Sequence, residues 1–122
     1  MELKVLDSDF SICKVTDLSA FDFTEACYFI GKSEEEISLV CPFAAVPSNA
    51  ITCDNGWRAF RIQGILDFSL VGILAKITGL LAKNDIGLFA ISTYNTDYIL
   101  TKAEHLSKAL QILQSKGYTV IS

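Results

Sequence analysis

Two short polar phrases in this chain have residue types and spacing suited to holding a small molecule. Asp67-Phe68-Ser69 stands where an apolar helical period begins, and Ser92-Thr93-Tyr94-Asn95-Thr96-Asp97 stands between two β-prone runs. A helix N-terminus offers unpaired N–H groups and the positive end of a dipole, which seat a carboxylate. Gly72, in the first turn of that period, lets a ligand approach the backbone closely. The Asp97 carboxylate can pair with a ligand ammonium or guanidinium. The same residues also have plain structural uses: Asp67 as a cap, Ser92 to Thr96 as a turn, Asp97 as a solvated charge.

Catalytic constellations are missing. There is no Walker loop and no dinucleotide G-x-G-x-x-G, since Gly64 and Gly72 stand eight residues apart. The single histidine, His105, opens a helical stretch beside Glu104 and Lys108, a solvated position rather than that of a general base. Ser69 and Ser92 have no candidate base. Cys13, Cys27, Cys41 and Cys53 form no C-x-x-C, so zinc spacing is absent, and they read as free thiols, most of them small core hydrophobes. Glu34-Glu35-Glu36 reads as a solvated hairpin tip. The chain is thus expected to be no enzyme, with no cofactor and no metal.

The elements that must position the two phrases fit one domain of 122 residues or two small interlocked halves, and 51% hydrophobic content supports a real core. No apolar run reaches the ~18 residues of a membrane span, and the N-terminus has no signal-peptide core, so the expected compartment is the cytoplasm with no membrane partner. Residues 1–56 carry three bases against ten acids, net −7, and residues 57–122 carry seven bases against four acids, net +3. Such a balance argues against nucleic acid, which needs a clustered basic surface.

In chain order, Leu3–Leu6, Phe10–Val15, Cys27–Ile30 and Ile37–Cys41 read as strands, the last two forming a hairpin. Pro42 and Pro47 then interrupt regular structure, and Asn49–Asn55 reads as a linker closed by Gly56. Trp57–Ile62 is a strand. Leu70, Ile73, Leu74, Ile77, Leu80 and Leu81 predict a helix over Phe68–Lys83, with Asp67 or Ser69 as N-cap and Asn84 as a left-handed C-cap. Gly72 and Gly79 inside it each cost roughly 1 kcal/mol against Ala, which suggests close approach of another group. Ile86–Ile91 and Tyr98–Thr101 are strands, Ala103–Ser115 a second helix capped by Gly117, and Tyr118–Ile121 a last strand. The order over 57–121 is βαββαβ, a ferredoxin-like α+β arrangement, complete in the C-terminal half. Sliding Ile30–Leu39 onto Ile91–Leu100, an offset of 61, makes the N-terminal half a degenerate repeat without the long helix. The expected division is 1–56 for that worn half and 57–122 for the complete one.

Residues 57–121 resemble an ACT domain, a regulatory module that binds amino acids and related small molecules. The resemblance rests on Leu66-Asp67-Phe68-Ser69-Leu70-Val71-Gly72-Ile73-Leu74-Ala75 and Ile91-Ser92-Thr93-Tyr94-Asn95-Thr96-Asp97-Tyr98-Ile99-Leu100, with Glu36-Ile37-Ser38-Leu39-Val40-Cys41-Pro42 and Gly56-Trp57-Arg58 extending it into the first half. These phrases are similar to small tandem-ACT proteins related to CASTOR-type arginine sensors and to aspartate kinase regulatory domains. The resemblance implies a ligand, an amino acid, held where two ACT units meet. Backbone around Ile65–Ile73 (Leu66, Asp67, Phe68, Ser69, Gly72 and Ile73 in particular) would hold its amino and carboxylate groups, and Ser92, Thr93, Tyr94, Asn95, Thr96 and Asp97 would read its side chain. A homodimer is common among related modules. The other reading is a protein–protein interaction or oligomerisation module whose ligand site has been lost.

Overall fold

The computed structural model describes residues 1–64 and 72–122. It contains strands β1 (Glu2–Val5), β2 (Phe10–Val15), β3 (Phe29–Lys32), β4 (Ile37–Pro42), β5 (Ala50–Ile62), β6 (Leu88–Ser92), β7 (Asp97–Lys102) and β8 (Thr119–Ile121), and helices α1 (Ile73–Lys83) and α2 (Leu106–Ser115). Single 3-10 turns, Phe43–Ala45 and Ala103–His105, follow β4 and β7. The chain forms two compact units, Ser8–Trp57 and Met1–Asp7 with Arg58–Ser122.

The larger unit runs β5-α1-β6-β7-α2-β8, the expected βαββαβ order. Its sheet carries one strand more than that order supplies. β1, which the sequence grouped with the first half, pairs antiparallel with β5 (Leu3 opposite Ile62) and parallel with β8 (Leu3 opposite Val120). The neighbour order is therefore β6-β7-β5-β1-β8. The reason is burial: Leu3 is fully enclosed in a core with Phe60, Ile62, Ile77, Leu81, Ile86, Ile99, Ala109 and Leu113. An enclosed leucine contributes roughly 1.5–3 kcal/mol, and no alternation within four residues tells which partner will enclose it. α1 and α2 turn Ile77, Leu81, Ala109 and Leu113 into this core.

Helix ends depart from the expected caps. Gly72 has φ +82°, so it stands outside the regular helix, which begins at Ile73. The expected caps Asp67 and Ser69, and the Phe68–Val71 part of the expected helix, lie outside the described residues. At the other end Asp85, at φ 60°, takes the left-handed position assigned to Asn84. Asn84 instead donates from its side-chain amide to the Leu80 carbonyl at 2.9 Å. Gly117 (φ +96°) ends α2 as expected, with the Tyr118 N–H returning to the Leu113 carbonyl at 3.1 Å.

The smaller unit keeps the strands and omits the helices. Its order is β2-β3-β4-β5, paired as β3-β4-β2-β5, the ferredoxin-like 2-3-1-4 arrangement. In place of a first helix, the segment between β2 and β3 supplies Leu18, Phe21 and Tyr28 to a core of Cys13, Val15, Leu39 and Cys41. Phe21 meets Tyr28 edge-on with ring centroids 4.8 Å apart. All of the expected linker Asn49–Asn55 after Asn49 is strand: β5 pairs with β2 from Ala50 opposite Val15 to Trp57 opposite Phe10. Between Ile12–Asp54 and Phe10–Trp57 one extra residue is absorbed on β5, where Gly56 has φ +82°. The glycine read as a terminator is thus the bulge that lets the strand continue. The expected strand Cys27–Ile30 sits two residues later, as β3, because its register against β4 sets its ends.

The two hairpins repeat with an offset of 60, not 61. Phe29, Ile30, Gly31 and Lys32 face Val40, Leu39, Ser38 and Ile37, just as Phe89, Ala90, Ile91 and Ser92 face Leu100, Ile99, Tyr98 and Asp97. Leu39, Val40 and Cys41 are buried in one strand, and Ile99, Leu100 and Thr101 in the other. The Ser33 N–H reaches the Glu36 carbonyl at 2.9 Å, and the Thr93 N–H reaches that of Thr96 at 2.8 Å. A slip of one residue would exchange the faces of every side chain.

Candidate functional site

The β6–β7 loop is a closed hydrogen-bonded unit. The Ser92 hydroxyl donates to the Asp97 carboxylate at 2.6 Å across the last strand pair. The Thr93 hydroxyl donates to the Thr96 carbonyl at 2.9 Å and accepts from the Thr96 N–H at 3.3 Å. The Thr96 side chain is 7% exposed and donates to the Ile62 carbonyl at 2.7 Å. Sequence reasoning gave these residues to a ligand, and the loop spends most of their polar capacity on itself. Tyr94 (81% exposed) and Asn95 present their side chains to solvent, and Asp97 is half-buried.

The bond from Thr96 has a positional consequence. Ile62 is the last residue of β5, so the second polar phrase is anchored to the strand end that leads towards the first. Leu66, Asp67, Phe68 and Ser69 lie outside the described residues. Gly72 and Ile73, the described remainder of the strand–helix turn, line a cavity of about 350 Å³ together with Met1, Lys76, Lys116 and Tyr118. This volume falls at the small end of ligand pockets. Residues at the N-terminus of α1, two lysines and a tyrosine line the cavity, a composition that suits an anion. None of the six residues from Ser92 to Asp97 lines it.

Lys76, Lys116, Met1 and Tyr118 escaped the sequence reading. By sequence pattern Lys76 is an ordinary polar position on an amphipathic helix, and Lys116 an ordinary charge at a helix C-terminus. Only the return of β8 alongside β1 brings Met1 and Tyr118 to the start of α1. His105 is 3.7 Å from the Glu104 carboxylate and about half exposed. Among the described residues no group of three His, Cys, Asp or Glu side chains is arranged to hold a metal ion, and no helix is long and apolar enough to cross a membrane.

Comparison with known proteins bears on the same region. Over 69 residues the chain is 39% identical to the cytosolic arginine sensor for mTORC1 subunit 1 of Homo sapiens, a match covering 54% of this chain and 21% of the relative. It therefore spans about a fifth of the length of the curated relatives it matches. Among solved structures, a protein from Agrobacterium tumefaciens superposes with a TM-score of 0.87 at 27% identity, covering 98% of this chain and 91% of that one. The regulatory subunit of aspartate kinase from Thermus thermophilus shares the fold, with a TM-score of 0.61 at 12% identity over 93% of this chain and 95% of that one. The ACT domain model matches residues 52–115, which run from within β5 to the end of α2. With more than half of its length covered by that model and its βαββαβ unit complete, the chain belongs to the ACT domain family.

Proposed function

We propose that this chain is a non-catalytic, small-molecule-binding regulatory protein: an amino-acid sensor acting in the cytoplasm. The observation that carries the reading is the cavity at the start of α1, lined by Gly72 and Ile73 together with Lys76 and Lys116. Its support from outside the chain is the likeness to a protein named as a cytosolic arginine sensor. In this reading the α-carboxylate of the ligand is held by the first N–H groups of α1 and the two ammonium groups. By sequence expectation Leu66, Asp67, Phe68 and Ser69 also belong to this seat. The Ser92–Asp97 loop, which does not line the cavity itself, reads the part of the ligand that projects from it through Asp97, Tyr94 and Asn95.

A thermal-shift screen of the twenty amino acids tests it. A ligand present at 100 times its dissociation constant adds about 2.7 kcal/mol to the folded state, a clear rise in Tm. Replacing Lys76 with Ala should abolish that rise while leaving the unliganded Tm nearly unchanged. Asp97→Asn keeps an acceptor for Ser92 and removes the charge, so it should lose response to a cationic ligand alone. No shift with any amino acid at millimolar concentration would sink the sensor reading.

One observation favours a second reading, an interaction or oligomerisation module with a lost site. Ser92, Thr93, Thr96 and Asp97 satisfy one another and the Ile62 carbonyl, as a purely structural turn would. In that case light scattering should show a homodimer whose population ignores every amino acid tested.

A further inference from the structure

Cys13 and Cys53 are direct partners on the adjacent antiparallel strands β2 and β5, with their sulfur atoms 3.0 Å apart. Directly opposed residues of an antiparallel pair have Cα separations of roughly 4.5–5.5 Å, inside the range a disulfide spans, and the bond itself needs the sulfurs only about 1 Å closer. The two thiols differ in access. Cys13 is buried at 2% exposure, whereas Cys53 is exposed and lines a surface groove with Lys14, Ser38, Thr52 and Asp54. We propose that Cys13 and Cys53 form a reversible redox pair, in which the exposed Cys53 attacks a low-molecular-weight disulfide such as oxidised glutathione and Cys13 resolves the mixed disulfide.

The Cys53 thiolate attacks one sulfur of the external disulfide, forms a mixed disulfide and expels one small thiolate. Cys13 then gives up its proton and attacks the Cys53 sulfur, releasing the second small thiolate and leaving the Cys13–Cys53 bond. Two protein thiols are oxidised and one external disulfide is reduced to two thiols. Burial, then the neighbouring Cys53, holds the Cys13 thiol up at about 12, which makes it a slow attacker in free solution. The 3.0 Å contact makes its attack on Cys53 intramolecular, so proximity compensates. Cys41 is fully buried and Cys27 half-buried, and neither faces Cys53 across a strand pair. In a reducing compartment, a bond of this kind is transient and redox-sensing rather than a permanent staple.

The experiment exposes the intact chain to glutathione buffers of increasing oxidised fraction, followed by thiol counting, intact mass and peptide mapping. The free-thiol count should fall from four to two, with the mass lower by two hydrogens and Cys13 and Cys53 in one cross-linked peptide. Cys53→Ser, at an exposed position, should remove the cross-link and keep all remaining thiols free. Cys13→Ser should accumulate a stable glutathione adduct on Cys53. A wild-type chain that retains a glutathione adduct on Cys53 without forming the cross-link would overturn the proposal. So would a cross-link to Cys27 or Cys41, or four unreacted thiols in fully oxidised buffer.

Discussion

The Thr96 hydroxyl donates to the Ile62 carbonyl at 2.7 Å, tying the turn between β6 and β7 to the last residue of β5. Thirty-four residues separate the two, and the contact is buried. It ties the β6–β7 loop to the C-terminal end of β5.

Replacing Thr96 with Val should therefore destabilise the chain by about 1–2 kcal/mol, since the Ile62 carbonyl loses a buried donor and nothing replaces it. Thr96→Ser keeps the hydroxyl and should lose less than half as much. Urea denaturation of the three proteins measures the difference, and a Val variant as stable as wild type would show that the bond to Ile62 contributes nothing.

Thr101 offers the opposite case. It is fully buried on β7, and among the described residues its hydroxyl has no partner. The residue at the matching place in the other hairpin, 60 positions earlier, is buried Cys41. Thr101→Val removes an unsatisfied hydroxyl at nearly constant shape, and should raise stability by about 1 kcal/mol in the same denaturation experiment.

Two glycines of the α1 region should respond in opposite directions. Gly79 lies inside the helix and is exposed, and a Cβ built there meets nothing within 4 Å among the described residues. Gly79→Ala should thus stabilise by up to about 1 kcal/mol. Gly72 likewise meets nothing within 4 Å among the described residues but sits at φ +82°. Gly72→Ala should cost about 1–2 kcal/mol through the left-handed backbone alone. Thermal melts of the two variants check the pair.

Stability should fall at alkaline pH. Burial raises the Cys13 thiol from 9.0 to about 12, and burial raises Cys41 from 9.0 to about 11. Between pH 9 and those values the unfolded chain has lost protons that the folded chain still holds. The slope of stability against pH is then negative, up to about 1.4 kcal/mol per pH unit for each thiol. Cys41→Ala should show a shallower alkaline decline than wild type in denaturation curves recorded from pH 8.5 to 11.

Much of the fold was legible in residue order. The 3.6-residue period of Ile73, Ile77 and Leu81, the alternation in β2 and β4, and Gly117 after Lys116 each encode a local preference that survives folding. The residues of the β6–β7 phrase stand out by type in the sequence, but their partners are not legible there. A threonine that donates to a carbonyl 34 residues away has the same sequence signature as one that meets a ligand.

By itself, then, the sequence determined the βαββαβ order, the helix faces and the presence of a worn second hairpin, because short-range periodicity is set by neighbours along the chain. Tertiary structure alone decided that β1 completes the larger unit, that Gly56 is a bulge inside one long β5, and that the hairpins repeat at 60 rather than 61. It also set Met1, Lys76, Lys116 and Tyr118 around Gly72, and Cys13 against Cys53. These outcomes depend on which strand lies beside which. That choice follows from the burial of residues such as Leu3 against partners remote in sequence, and no local pattern carries it.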